Sequence, residues 1–254
     1  MRKVYAVITA ICLTALVSCF SPWEGGSGTI AIAFSDSDGS GISRAGFTPF
    51  SQPMTFQIRL TGPGGIELIE TVLLPEDNQS VRIAVTPGNW NVSVRLFDDN
   101  GVLTDIGFSN DPVTVRAGQF AETTVTRYPA ATANSAAALS GLLAINPPQY
   151  ILITGDITVD NFLFISSAIT LIADSAVEIN RELGFTEQIF SIGGGNDTLT
   201  LGRPGMSGAI TINGTGVAER PLITVGGTLV MYDRVTLTGN DNTYASSGGG
   251  GVLV

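Results

Sequence analysis

The chain has no histidine, and among its 254 residues only two are cysteine and twelve are basic. Without an imidazole it lacks the usual general base, the histidine of serine-type triads and the commonest nitrogen ligand for zinc. Lysine occurs once, at Lys3, beside Arg2 and ahead of an apolar run from Val4 to Val17. That run is too short to span a bilayer comfortably and stands where an export signal belongs. Its removal leaves 10 basic against 22 acidic residues, a net charge of −12 compared with −10 for the whole chain. Nucleic-acid binding is set aside, because contact with a phosphate backbone needs lysine and arginine to displace counterions. Charged residues make up 13 per cent of the chain, whereas glycine contributes 31 positions, the balance of an exported β-protein.

What the sequence does have is a repeat. From Ile169 onward an apolar pair returns at a fixed interval: Ile169/Leu171, Leu199/Leu201 and Leu229/Met231, each 30 residues after the last. A second pair follows as Val177/Ile179, Ile210/Ile212 and Val235/Leu237, and a third as Phe190/Ile192, Ile223/Val225 and Val252/Val254. Within each pair an intervening residue points the other way, the period of a strand with one inward and one outward side. Three short strands per copy, with a turn after each, describe coils that stack in a parallel β-solenoid. An antiparallel β-sandwich with regularly spaced strands is the alternative. The insertions fall between the aligned pairs, where a solenoid has its loops, and this favours the coil.

This stretch resembles a right-handed β-helix of the pectin-lyase type. More narrowly, VTLTGN from Val235 to Asn240, followed by glycines from Gly248 and then Val252, resembles the repeats of polymorphic outer-membrane proteins. Residues 150–254 are therefore assigned to a parallel β-helix of about three to four coils. No C-terminal cap is visible after Val254. The expectation is a chain cut short, the alternative being an end covered by another chain, with open strand edges beside Ile223, Val225, Val252 and Val254 that favour self-association.

The export segment closes on Leu16-Val17-Ser18-Cys19, which resembles the lipobox of bacterial lipoproteins; an ordinary secretory signal with a chance cysteine is the alternative. The resemblance implies cleavage before Cys19, diacylation of its thiol and loss of Cys12 with the signal (residues 1–19). It places the mature protein at the bacterial outer membrane or cell surface, held by lipid and without disulfides. Residues 20–28, rich in glycine and serine, read as a flexible tether in which Trp23 is a linker residue.

Residues 29–128 alternate like a half-buried antiparallel sheet, with Phe56, Ile58 and Leu60 pointing inward and Gln57 and Arg59 to water. Val81/Ile83/Val85 and Trp90/Val92/Val94/Leu96, joined through Thr86-Pro87-Gly88-Asn89, predict a β-hairpin. About seven strands in this span suggest a small β-sandwich. The run Pro87 to Gly101 resembles the immunoglobulin-like or transthyretin-like modules that follow the anchor in bacterial surface lipoproteins. The fold class is thus all-β, a sandwich followed by an N-capped β-helix. The cap is a short helix within 130–146, with Asn134 or Ser135 as N-cap, Leu139, Leu142 and Leu143 on one face, and Pro147-Pro148 beyond its end. Strands at Ile151/Ile153, Ile157/Val159 and Leu163/Ile165 complete a first coil.

No catalytic residue, cofactor or metal site is assigned. Asp36-Ser37-Asp38-Gly39-Ser40-Gly41 fits the opening of a calcium loop, yet its twelfth position is Phe47 where a bidentate glutamate belongs, so it reads as a solvated loop. Asp98-Asp99-Asn100-Gly101 reads as a turn. Asp233-Arg234 is the nearest approach to a charged pair on the coils, while Asn180 and Asn213, with Asn240 nearby, suggest a stacked ladder that satisfies turn backbones. The sequence therefore points to a non-enzymatic, lipid-anchored surface protein that offers its β-helix to a glycan or protein ligand. The alternatives are a carbohydrate-active enzyme of pectin-lyase-like fold or a carbohydrate-binding module stacking sugars on Tyr232 and Tyr244.

Overall fold

A computed structural model of the chain describes residues 26–36, 54–74, 80–218, 220–242 and 251–254. Cys12, Cys19, Trp23, Tyr244, residues 37–41 of the acidic loop and the glycine turn at 248–250 lie outside the described residues. The fold is all-β with one α-helix among the described residues, and no helix there is long and apolar enough to cross a membrane.

The first half contributes β1 (Gly28–Asp36), β2 (Met54–Thr61), β3 (Glu67–Leu74), β4 (Ser80–Val85), β5 (Gly88–Phe97), β6 (Leu103–Ser109), β7 (Val113–Val115) and β8 (Phe120–Ala133). They pair in the order β3-β2-β5-β6-β8, with β1 parallel to β8, β4 antiparallel to β1, and β7 on β5. Alternate residues of these strands, among them Ile32, Phe56, Ile58, Val94 and the fully buried Trp90, form one apolar core.

The hairpin expected at Thr86 to Asn89 is not formed. β4 pairs with β1, whereas β5 pairs with β2, β6 and β7. Both strands send their apolar sets into the same core, so the chain passes over that core between them instead of folding back beside itself. Pro87 offers no amide to a ladder, and Trp90 Nε1 donates to the Thr86 carbonyl at 2.8 Å, holding the crossing in place. A second expectation also changes: Phe56, Ile58 and Leu60 are buried as read, but Gln57 and Arg59 on the other side of β2 do not face open water. Gln57 accepts from Arg95 at 3.3 Å, and Arg59 reaches a turn of the second half.

That half opens with the helix α1 (Ala136–Ala144), capped by Ser135, whose hydroxyl accepts from the Ala138 amide at 3.3 Å. Then come β9 (Tyr150–Ile153), β10 (Ile157–Val159), β11 (Leu163–Ile165), β12 (Ala168–Ala173), β13 (Val177–Arg181), β14 (Phe190–Ile192), β15 (Thr198–Leu201), β16 (Ile210–Ala218), β17 (Ile223–Val225), β18 (Thr228–Met231), β19 (Val235–Asn242) and β20 (Val252–Leu253). The chain visits three all-parallel ladders in turn: β9-β12-β15-β18, β10-β13-β16-β19 and β11-β14-β17-β20. The register is the one the repeat implies, with Ile169 opposite Leu199 and then Leu229, and Phe190 opposite Ile223 and then Val252.

Inward residues of all three ladders share one apolar interior, closed on one side by Leu139 and Leu143 of α1. Burial of each such side chain contributes roughly 1.5–3 kcal/mol, which no single copy of the repeat can obtain alone.

The two halves share a sheet. Strand β8 runs on past Pro129, and its last residues pair in parallel with the first strand of the coils, Ala130 opposite Tyr150 and Ala133 opposite Ile153. β9 is consequently buried on both faces. Ile151 and Ile153 join the coil interior, while Tyr150 and Leu152 join Leu103, Ile106, Phe108, Ala130 and Ile172 in a third apolar cluster at the junction.

Candidate functional site

The repeat places the turn after its first strand at the same corner of successive coils, and that corner lies against the N-terminal sheet. Eight residues separate Leu201 from Ile210 there, compared with five between Leu171 and Val177 and three between Met231 and Val235. The longest of these turns, 202–209, packs closely on β5: a side chain at Gly205 would begin 3.3 Å from the Asn91 amide carbon, and φ of +80° there disfavours any residue but glycine. The three turns also hold one another. Ser207 donates its hydroxyl to the Asp174 carbonyl at 3.0 Å, and Arg234 Nη1 donates to the Ser207 carbonyl at 2.6 Å.

Beneath this corner, charges from the two halves meet. The Asp174 carboxylate receives Arg59 Nη1 at 3.1 Å and Nη2 of Arg95, and Arg59 Nε also reaches Glu67 at 2.9 Å. Asp174, Arg59 and Arg95 are each mostly shielded from solvent, so the pairing is less screened than a surface bridge. Burial, and then the neighbouring Arg59, pull the Arg95 guanidinium below its ordinary value, with Glu67 opposing. It remains a cation at neutral pH.

Arg203 closes the corner from the coil side. It lies over the Phe108 ring, 4.1 Å from its centroid, and donates Nη1 to the Tyr150 hydroxyl at 2.8 Å. Burial raises the Tyr150 pKa, an effect that Arg203 opposes. Between these walls runs an open cleft of about 410 Å³, lined by Glu67 and Asn91 from the N-terminal sheet and by Arg203, Ser207, Asp233 and Arg234 from the coils. Tyr232, the residue before Asp233, is exposed, and a side chain at Gly202 would begin 3.5 Å from its Cβ.

The residues singled out by the sequence fall in three places. Asp233 and Arg234 line the cleft, with Arg234, at φ +68°, turned to Ser207. Asn180 and Asn213 are in register, but the next rung is Thr238, because a bulge after Asn213 displaces Asn240 to pair with Gly216. Asn213 Oδ1 accepts the Thr215 amide at 3.1 Å, the turn-satisfying role expected of it. Asp98 Oδ1 accepts the Asn100 and Val102 amides at 3.0 and 2.7 Å, a plain turn. Among the described residues no three carboxylates come together in a group able to hold a metal ion.

Arg181 shares the parity of Val177 and Ile179. It occupies an inward position opposite Val159 and is 1 per cent exposed. Its guanidinium donates to Asn240 Oδ1 at 2.6 Å and to the Pro221 and Arg220 carbonyls at 3.1 and 3.3 Å, tying the turn before β17 to the coil interior. Burial lowers its pKa, and Glu187 opposes the shift. Glu67, Asn91 and Arg203 carry no motif in the sequence, and Arg59 reads there as a solvent-facing residue of a strand. The signal for Arg203 was the long turn itself, since insertions in a repeat map to loops on one face. No family model, no curated protein and no solved structure matches this chain.

Proposed function

We propose that the protein is a non-enzymatic, lipid-anchored bacterial surface protein, in which a small β-sandwich next to the membrane carries a right-handed parallel β-helix as a binding scaffold. The observation that carries this reading is the strand β8, which belongs to the N-terminal sheet and to the first ladder of the coils at once. A scaffold that presents a surface away from a lipid anchor needs a stiff connection between anchor-proximal and distal parts. A continuous sheet, an apolar junction and a shielded ion cluster supply one. The outward positions of the ladders carry Thr170, Thr200, Thr211 and Thr236, uncharged polar residues suited to contact without chemistry.

The anchor rests on Leu16-Val17-Ser18-Cys19, and its test is direct. Wild-type protein expressed in a bacterium is expected to take up labelled palmitate, to enter the detergent phase on phase separation and to be digested by protease added to intact cells. Cys19→Ser is expected to lose the label and leave the detergent phase. Retention of both by the variant overturns the lipoprotein reading.

A further inference from the structure

We propose that the cleft between the N-terminal sheet and the stacked turns binds a neutral oligosaccharide, which deepens the scaffold reading above and rests on it. The cleft is a concavity at the meeting of two parts of the fold, its volume falls within the roughly 300–1,000 Å³ of ligand sites, and polar groups converge on it from both sides. Elsewhere the outward coil positions are mostly threonine, asparagine and serine, whereas four of the chain's twelve basic residues, Arg59, Arg95, Arg203 and Arg234, gather in or beneath this corner.

Those cations are already engaged. Arg59 and Arg95 face Asp174 and Glu67, Arg203 is spent on Tyr150 and Phe108, and Arg234 is held by the Ser207 carbonyl. An anionic ligand would have to compete with these partners and approach a chain of net charge −10. The cleft instead presents fixed dipoles and balanced charges: the Asn91 amide, the outer oxygens of Glu67 and Asp233, and the remaining guanidinium hydrogens of Arg234. Vicinal hydroxyls, each both donor and acceptor, match such an alternating set without bringing charge of their own. Tyr232, next in sequence to the lining residue Asp233, is exposed, and its ring is of the kind on which the C–H side of a pyranose stacks. Met206 and Pro204 are the apolar side chains of the lining, too few for a lipid or an apolar peptide anchor.

Binding by the full chain, held in detergent, is measured by calorimetry against neutral hexasaccharides of glucose, mannose and N-acetylglucosamine, with polygalacturonate and heparin as anionic arms. At least one neutral hexasaccharide is expected to bind. Its affinity should drop at least about tenfold in Tyr232→Ala and in Asp233→Ala, and stay unchanged in Thr224→Ala on the third ladder, outside the cleft lining. Raising salt from about 50 to about 500 mM should leave the affinity within about twofold, since no net charge is neutralised. The proposal is overturned if only the anionic arms bind, if none of the neutral sugars does, or if the two cleft variants bind a neutral sugar as the wild type does. Acyl labelling and surface digestion are independent of all these outcomes, so the scaffold reading stands or falls separately.

Discussion

Arg59 Nη1 lies 3.1 Å from Asp174 Oδ1, an ion pair between a strand of the N-terminal sheet and a turn of the first full repeat. Arg95 shares the same carboxylate, and both guanidinium groups are more than four-fifths shielded, whereas Glu67 reaches Arg59 from the other side at 2.9 Å. Asp174→Asn should therefore destabilise the protein by about 2–4 kcal/mol in urea unfolding, because Arg95 loses its ion-pair partner in a partly dry junction and Arg59 keeps only Glu67. Adding Arg95→Met should restore part of the loss, since the stranded cation is then gone. A loss below about 0.5 kcal/mol in the single variant would place this cluster among ordinary surface bridges.

Ile172 and Thr200 both point away from the coil interior, yet their surroundings differ. Ile172 is fully buried against the N-terminal half, whereas Thr200 on the next coil is half-buried on the outer wall. Ile172→Ala is expected to cost about 2–4 kcal/mol through the cavity it leaves. Thr200→Ala should stay within about 0.5 kcal/mol, as surface changes do. Equal effects would mean that the junction cluster is not packed.

The raised pKa of Tyr150 fixes the sign of an alkaline effect. The folded state holds the phenolic proton more tightly than the unfolded chain, whose tyrosine titrates near 10. Its contribution is fully present below pH ~10 and is lost as pH rises from there through the raised folded value. Stability measured by denaturant titration should thus fall more steeply above pH ~10 in the wild type than in Tyr150→Phe. An identical pH slope in the two proteins would contradict the buried environment assigned to this hydroxyl.

The stacked register was legible because each ladder repeats inward aliphatic residues at fixed spacing, and stacking is the one arrangement that buries Ile169, Leu199 and Leu229 together. The cap was legible for a similarly local reason, Ser135 followed by leucines on one helical face. What escaped the reading depends on contacts between distant segments. Val81 to Leu96 looks like a hairpin because alternation and turn chemistry are local, whereas the choice of partner strand is settled by which core both strands enter. Arg59 looks like a solvent-facing residue until the turn holding Asp174 is laid against it. The junction did leave one trace: Tyr150-Ile151-Leu152-Ile153 is apolar at every position, the mark of a strand covered on both faces. The cleft left another in the length of the turn between Leu201 and Ile210. Neither trace names a ligand, since a ligand is recognised by side chains that meet only in the folded chain.

The two halves share one sheet through β8. Amide hydrogen exchange across Ala130–Ala133 and Tyr150–Ile153 measures it most directly. If the sheet is continuous, the paired amides on both strands exchange slowly, with the protection of the coil ladders and loss only on global unfolding. Rapid exchange at these amides, with each half separately protected, would show a hinge where the account places a strand.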